Sequence, residues 1–282
     1  MQLGAPFPML VEWSSDDIRR YAQEVEHYGI DFATVAGHVL AHPPGRFPEK
    51  PSRLYVGPYH DPMVLFAHLS GITERLRFRS SILILPLHTT VLVAAAITEL
   101  CTLSGDRFEL GVGVSWNERE YQAAGQDIHR RGRRIDEQLQ VLRLLWANER
   151  ITFDGEFHHL DDVGLGRLPA TPPRIWMGAT LNERSVPRMV AYGDGWIPGP
   201  GLDPTPHLAT LWERLSDAGR DPADFSINTR IDLTTGDEAT WASRAEYLVS
   251  GGVTHLLLDP GTGRPATEAA ALIARAAAAI RG

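Results

Sequence analysis

Short apolar runs with strand character and longer runs with helical spacing alternate along most of this chain. That order constrains the fold more than any single motif, because βα units place their strands in a parallel sheet covered by helices. The strand candidates are residues 8–13, 32–37, 76–85, 108–114, 174–179, 195–198, 225–233 and 253–259, eight in all. Eight such units predict an α/β fold, a (β/α)8 TIM barrel.

The first helix shows the quality of the signal. Ser14 or Ser15 can cap it, Ile18, Tyr21, Ala22, Val25 and Tyr28 keep helical spacing, and Gly29 stands where a left-handed residue ends a helix. Further helices are expected at 90–104, stopped by Gly105, and at 135–146, 206–218, 238–250 and 266–280. Segments 38–58 and 151–168 exceed a minimal barrel and read as insertion loops able to act as lids, the second with a hairpin turn at Phe153-Asp154-Gly155-Glu156. With no internal repeat and no linker, residues 1–282 are read as one domain; a boundary near Ile151 is the alternative.

Composition removes several function classes. A formal net charge of −8 gives no global basic field for nucleic acid or an anionic membrane surface, so an anionic ligand would need a local site. The longest apolar stretches fall well short of the roughly 18 residues that span a bilayer. One cysteine, Cys101, excludes an intramolecular disulfide framework, and the N-terminus has no signal-peptide pattern, so a cytoplasmic location is expected.

In a barrel the active site lies where strands end and loops begin. That leaves Trp13, His38, Ser81, Ile82, the run Ser115-Trp116-Asn117-Glu118, the run Gly178-Ala179-Thr180, Gly199 and Arg230. An imidazole at His38 could relay a proton, its free pKa being about 6.5; a hydrogen-bonded loop residue is the plain alternative. His42 and His60 sit on less regular segments. Gly111 and Gly113 begin like a dinucleotide fingerprint, but its third glycine would be Trp116, so they are read as small residues that leave room for a ligand ring or for close packing. Asn117 suits a helix cap as well as a ligand contact.

Gly178-Ala179-Thr180 runs toward a helix expected near Asn182, an arrangement that can offer backbone N–H groups to a phosphate, with Arg184 and Arg188 one turn apart behind it. No metal site is expected, since the eleven histidines contain no H-E-x-x-H; His158-His159 looks like hairpin surface. No G-x-S-x-G elbow supports a serine hydrolase. Redox chemistry with a bound cofactor stands in front.

The order of motifs is recognisable at this point. Asp61-Pro62, Thr73 to Arg77, Ile84-Leu85-Pro86-Leu87, Leu103 to Gly113, Trp116-Asn117-Glu118, Arg131-Gly132-Arg133-Arg134, Phe153 to Phe157, Pro173 to Gly178 and Gly193-Asp194-Gly195-Trp196 follow one another over roughly residues 15–200. This order resembles the luciferase-like monooxygenase family, and within it most closely the actinobacterial F420-dependent oxidoreductases, which the arginine- and alanine-rich composition with its single Lys50 also suits. The resemblance implies a usually dimeric barrel that binds coenzyme F420 or reduced FMN, with the deazaflavin placed first.

By position, Ser81-Ile82 matches a non-prolyl cis peptide that forms a bulge behind the ring. Gly178-Ala179-Thr180 and Gly199 match the phosphate-binding strand ends, Trp116 and Asn117 match residues beside the ring, and His38 matches the histidine of an Asp-His pair. The departures are Gly37 in place of that acid, Ser115 in place of a glycine, and Pro187 in the helix behind the phosphate site. The function implied is hydride transfer at the deazaflavin C5 to or from a small organic substrate, with Trp13, Phe47, Tyr55 and Trp116 available as apolar lining and no nucleic-acid or membrane partner. The alternatives are an FMN-dependent monooxygenase, a non-catalytic flavin-binding protein and a cofactor-free barrel lyase or isomerase.

Overall fold

The computed structural model describes residues 1–41 and 57–282. In chain order its strands are β1 (Gln2–Pro6), β2 (Phe32–Gly37), β3 (Arg77–Ile84), β4 (Phe108–Gly113), β5 (Ile151–Asp154), β6 (His159–Val163), β7 (Ile175–Gly178), β8 (Gly195–Ile197), β9 (Ser226–Asp232) and β10 (His255–Asp259). All except β5 and β6 are parallel, and they close into an eight-stranded barrel in which β10 pairs with β1. β5 and β6 form the antiparallel hairpin expected around Asp154-Gly155.

The helices are α1 (Ser15–His27), α2 (Pro62–Ser70), α3 (Thr90–Ser104), α4 (Glu118–Ala123), α5 (Arg131–Ala147), α6 (Ser185–Tyr192), α7 (Leu208–Asp217), α8 (Glu238–Ser250) and α9 (Ala266–Arg281). α1 forms as its spacing requires: the Ser14 hydroxyl accepts from Asp17 N at 3.1 Å, and Ile18, Tyr21, Ala22 and Val25 are buried. Gly29 follows at φ +75°, the left-handed conformation that ends a helix cheaply only for glycine. Burying one large apolar side chain of that stripe is worth about 1.5–3 kcal/mol, so packing on the barrel outweighs intrinsic propensity. Among the described residues no helix is long and apolar enough to cross a membrane.

The first strand differs from expectation. Residues 8–13 leave the barrel and make only an isolated antiparallel bridge, Leu10 to Tyr59, while Gln2–Pro6 occupies the strand position. A strand paired on both sides needs its N–H groups, and Pro6 and Pro8 have none, so pairing with β10 stops at Gly4 and the last bond to β2 is Phe7 N to the Thr34 carbonyl at 2.7 Å. Position 4 must be glycine here, since a Cβ would lie 2.3 Å from the Phe32 ring.

The N-terminal half of the barrel interior is filled. Arg79 is 1% exposed, with its guanidinium between the rings of Phe32 (4.3 Å) and Trp176 (3.9 Å) and a 2.7 Å bond to Asn228 Oδ1. Glu109 lies 3.8 Å from Arg79 and accepts from Trp176 Nε1 and Arg77. Burial pushes Arg79 down to about 9; burial and the neighbouring Arg79 push His255 down to about 2, so that imidazole is neutral. Such a plug leaves the C-terminal mouth as the end where a ligand can enter.

Candidate active site

At the mouth β3 bulges. Its register with β2 shifts between Val35 and Gly37, its register with β4 shifts between Arg79 and Leu83, and the Ser81–Ile82 peptide bond is cis. The glycines beside it fit that bulge. A Cβ at Gly111 would lie 1.9 Å from the Ser80 carbonyl oxygen, one at Gly113 2.5 Å from Ile82 Cδ1, and one at Gly178 2.4 Å from Ile82 Cγ2. Of the two readings left open for Gly111 and Gly113, close packing is the one observed.

Two cavities open around the bulge. The larger, about 360 Å3, is lined by Ser81, Ile82, Gly178, Ala179, Thr180 and Gly199, together with Asn228, Thr229, Arg230, Arg244 and the loop 200–202. The smaller, about 190 Å3, has apolar walls from Phe7, Met9, Trp13 and Pro260 and carries Glu12, Arg230, Asp259 and Arg264 at its polar positions. They share Ser81, Arg230 and Leu257. Trp13 is held edge-on to Phe7 and donates its Nε1–H to the Arg264 carbonyl at 3.0 Å. Six of the expected cofactor residues therefore meet on one cavity, and Trp13 lines its neighbour. His38, Trp116 and Asn117 line neither; His42, Phe47 and Tyr55 lie outside the described residues.

His38, at the end of β2, has a carboxylate partner that is distant in sequence. Its Nδ1 lies 3.1 and 3.3 Å from the Glu120 oxygens, and Glu120, with no exposed side-chain surface, also accepts from Val39 N (2.7 Å), Leu40 N (3.3 Å) and Asn117 Nδ2 (2.9 Å). An ionised carboxylate can only accept, so Nδ1 carries the proton toward it. Burial works to raise the Glu120 pKa, but the bonds from His38, Val39 and Leu40 outweigh it and hold the group below the usual carboxylate range. Glu120 thus supplies the acid missing at position 37. Its sequence signal was ambiguous: Asn117-x-x-Glu120 reads as a helix capping box, and Asn117 Oδ1 does cap α4 by accepting from Arg119 N at 3.2 Å. Ser115, just before, has φ +55°, the left-handed region that favours glycine.

The turn after β7 corrects one expectation. α6 begins at Ser185 rather than near Asn182, and its first donors are already used: Arg184 N and Ser185 N bond Asn182 Oδ1, and Val186 N bonds the Asn182 carbonyl. Pro187 falls in the first turn, where its missing N–H breaks no helical bond. Asn182 saturates this terminus, which is why it offers little to a phosphate. Arg188 is likewise committed, to Asp136 and to the Gly132 carbonyl. A third correction concerns the hairpin: His159 is exposed, but His158 is half-buried and held between Glu137 (2.7 Å) and Thr90 (2.5 Å).

A sequence model of luciferase-like monooxygenases matches residues 7–281. The chain belongs to the luciferase-like monooxygenase family. This luciferase-like enzyme is 33% identical over 216 residues to an uncharacterised protein of Mycobacterium tuberculosis, covering 75% of this chain and 72% of that one. It is 31% identical over 159 residues to the F420-dependent hydroxymycolic acid dehydrogenase of the same organism, covering 55% and 43%. In fold it is similar to the monooxygenase RslO1 from Streptomyces bottropensis (TM-score 0.80, 19% identity, 100% and 99% covered). It is similar also to an F420-dependent secondary alcohol dehydrogenase in complex with an F420-acetone adduct (TM-score 0.78, 15% identity, 100% and 99% covered). Luciferase-like proteins are oxidoreductases and monooxygenases, so the mouth is the candidate site of a redox reaction on a small molecule.

Proposed function

We propose that this chain is an F420-dependent oxidoreductase, acting as one domain over residues 1–282, that transfers a hydride between the deazaflavin C5 and a small organic substrate. The observation that carries the reading is the larger cavity at the β3 bulge, where Ser81, Ile82, Gly178, Ala179, Thr180 and Gly199 meet and the charged lining residues are two arginines. That wall fits a cofactor with an anionic tail. No heavy atom lies within 4 Å of where a Cβ at Gly199 would stand, so this side of the cavity is roomy. The similarity to the F420-dependent hydroxymycolic acid dehydrogenase supports F420 as the cofactor placed first.

When bound, the deazaflavin supplies a hydride donor or acceptor at C5 without the ring nitrogen through which reduced flavin activates oxygen. Ser81 and Ile82 would back the ring and Gly178, Ala179, Thr180 and Gly199 would hold the tail; Trp116 and Asn117, which line neither cavity, would stand beside the ring only as the resemblance implies. Trp13 gives the substrate an apolar wall in the smaller cavity, which shares Ser81 and Leu257 with the larger one, so the two ligands adjoin at the bulge. His38, which lines neither cavity, would be the proton carrier that the resemblance implies, and Glu120 fixes its ring through Nδ1. A cytoplasmic homodimer completes the proposal.

Fluorescence titration of the purified protein with F420 and FMN, each oxidised and reduced, tests it. Tight binding of F420 with FMN ignored is expected. Preference for FMN would move the chain to the flavin monooxygenases, and binding without turnover of any alcohol or carbonyl substrate would favour a non-catalytic carrier.

A further inference from the structure

The charged residues described around the smaller cavity are Glu12, Arg230, Asp259 and Arg264, two of each sign. Two of them cancel. Arg230 Nη1 donates to Asp259 Oδ2 at 2.7 Å, and Asp259 Oδ1 accepts from Gly261 N at 3.0 Å, so both carboxylate oxygens already have a donor. Glu12 and Arg264 are left to set the charge that a ligand meets. They are held differently. The Arg264 carbonyl accepts from Trp13 Nε1 at 3.0 Å, which ties the loop after β10 to the segment before α1. Its Nε donates back to the Pro260 carbonyl at 3.0 Å, across a loop that turns at Gly261 and Gly263 with φ +84° and +72°. The Glu12 side chain, by contrast, is exposed, and no hydrogen bond or ion pair among the described residues orients it.

A guanidinium has five N–H donors in a rigid fork, so the Pro260 carbonyl on Nε orients it and leaves the donors on both Nη atoms. Among the described residues neither Nη makes a hydrogen bond; the nearest carboxylate, Glu268 in the first turn of α9, stands 3.8 Å from Nη1. A fork held in advance loses less entropy on binding than a freely turning carboxylate, so Arg264 rather than Glu12 selects the ligand. The rest of the wall is apolar, with Phe7, Met9, Trp13, Leu257 and Pro260. At about 190 Å3 the cavity is smaller than the roughly 300–1,000 Å3 that hold drug-sized ligands.

We propose that the smaller cavity takes a small organic acid, with its carboxylate on the Arg264 Nη atoms and its apolar chain against Phe7, Met9 and Trp13. This rests on the reading above that puts the substrate in this cavity, and it names the class of that substrate. Ser81, Arg230 and Leu257 are shared with the larger cavity and Arg264 is not, so a carboxylate held at Arg264 leaves the shared wall to the rest of the molecule. The carbon that exchanges the hydride would then be distinct from the head group that Arg264 recognises.

Calorimetric titration with hexanoate, hexanol and hexylamine, which offer one chain with three head groups, tests the site. Each is run on the protein alone and on the protein with whichever cofactor it binds. The wild type should take hexanoate tightest. Arg264→Gln should weaken hexanoate about tenfold, as expected for loss of a charge-assisted hydrogen bond, and leave hexanol unchanged, which shows that the cavity is intact. Arg264→Lys should recover part of the loss, and Glu12→Gln should not weaken hexanoate. Hexanoate and hexanol bound equally, hexanoate affinity unmoved in Arg264→Gln, or no hexanoate bound in either state would overturn the proposal. Hexylamine bound tightest and weakened by Glu12→Gln would overturn it too, in favour of a cation site. Cofactor binding is read separately by the F420 and FMN titration. Hexanoate held through Arg264 in a protein that takes neither cofactor would uphold the acid site while the cofactor reading fails.

Discussion

Glu120 joins two parts of the chain that local sequence does not connect. It lies 82 residues from His38 and accepts hydrogen bonds from that ring, from two backbone amides of the segment after β2 and from Asn117. Replacing it by glutamine turns one acceptor oxygen into a donor that faces other donors, which should cost about 2–4 kcal/mol in urea unfolding. The pH dependence follows from the depressed folded-state pKa. Ionised Glu120 stabilises the fold fully above the unfolded-state pKa of about 4.3, and the contribution is lost as pH falls through the folded value. Glu120→Gln has no such proton to take up, so its stability should fall less steeply with acid than that of the wild type; a steeper fall would contradict the assignment. Position in the βα pattern places His38 and Gly178 at strand ends and Ser81 and Ile82 in β3 at the mouth, as the structure has them, whereas Trp13 was singled out as the end of a strand at 8–13 that does not form, although it does line the smaller cavity. Position was not enough for Glu120, because its partner His38 is 82 residues away and it resembles an ordinary helix residue until the barrel closes.

At the scale of elements, the mouth depends on β3 bulging into space that its neighbours leave empty. A Cβ at Gly178 would meet the Ile82 side chain at 2.4 Å, whereas one at Gly111 would meet the Ser80 carbonyl oxygen at 1.9 Å. Side chains yield more readily than backbone. Gly178→Ala should therefore cost about 1–3 kcal/mol, and Gly111→Ala more. Trimming Ile82 to alanine should make the Gly178→Ala penalty smaller, a coupling readable in a double-mutant cycle of urea midpoints; strict additivity would show that the two do not compete for the same space. Seven of the eight barrel strands were legible because each is a short apolar run bounded by turn residues. The first was not, since the run at 8–13 is the more hydrophobic and the decisive information lies in Pro6 and Pro8, which lack the N–H groups that would carry the ladder on, and in Gly4, which admits the Phe32 ring. The start of α6 was misplaced for a similar reason: Asn182 caps from three residues outside the helix.

For the whole molecule, the outer face of α2 and α3 bears on the proposed homodimer. These neighbouring helices bury one side against the barrel, yet Val64 is 71% exposed, Leu92 68% and Leu103 61%, with Ala67, Ala95 and Ala96 also exposed, and Glu99, paired with Arg167, on the same face of α3. Single exposed apolar residues are ordinary, but several on two adjacent helices make this face the one to test for the proposed homodimer. A twofold axis would set this face against its own copy, so each substitution acts twice in one interface. Leu92→Glu combined with Leu103→Glu places four carboxylates in that contact per dimer. Sedimentation velocity should then show a dimer for the wild type and a monomer for the double variant. Unfolding free energies extrapolated to dilute protein should differ by less than about 1 kcal/mol, because the replaced side chains are largely exposed in the isolated chain. A double variant that stays dimeric would place the contact elsewhere, and a monomeric wild type would remove the dimer from the proposal while leaving the mouth, whose two cavities are lined by one chain, as it stands.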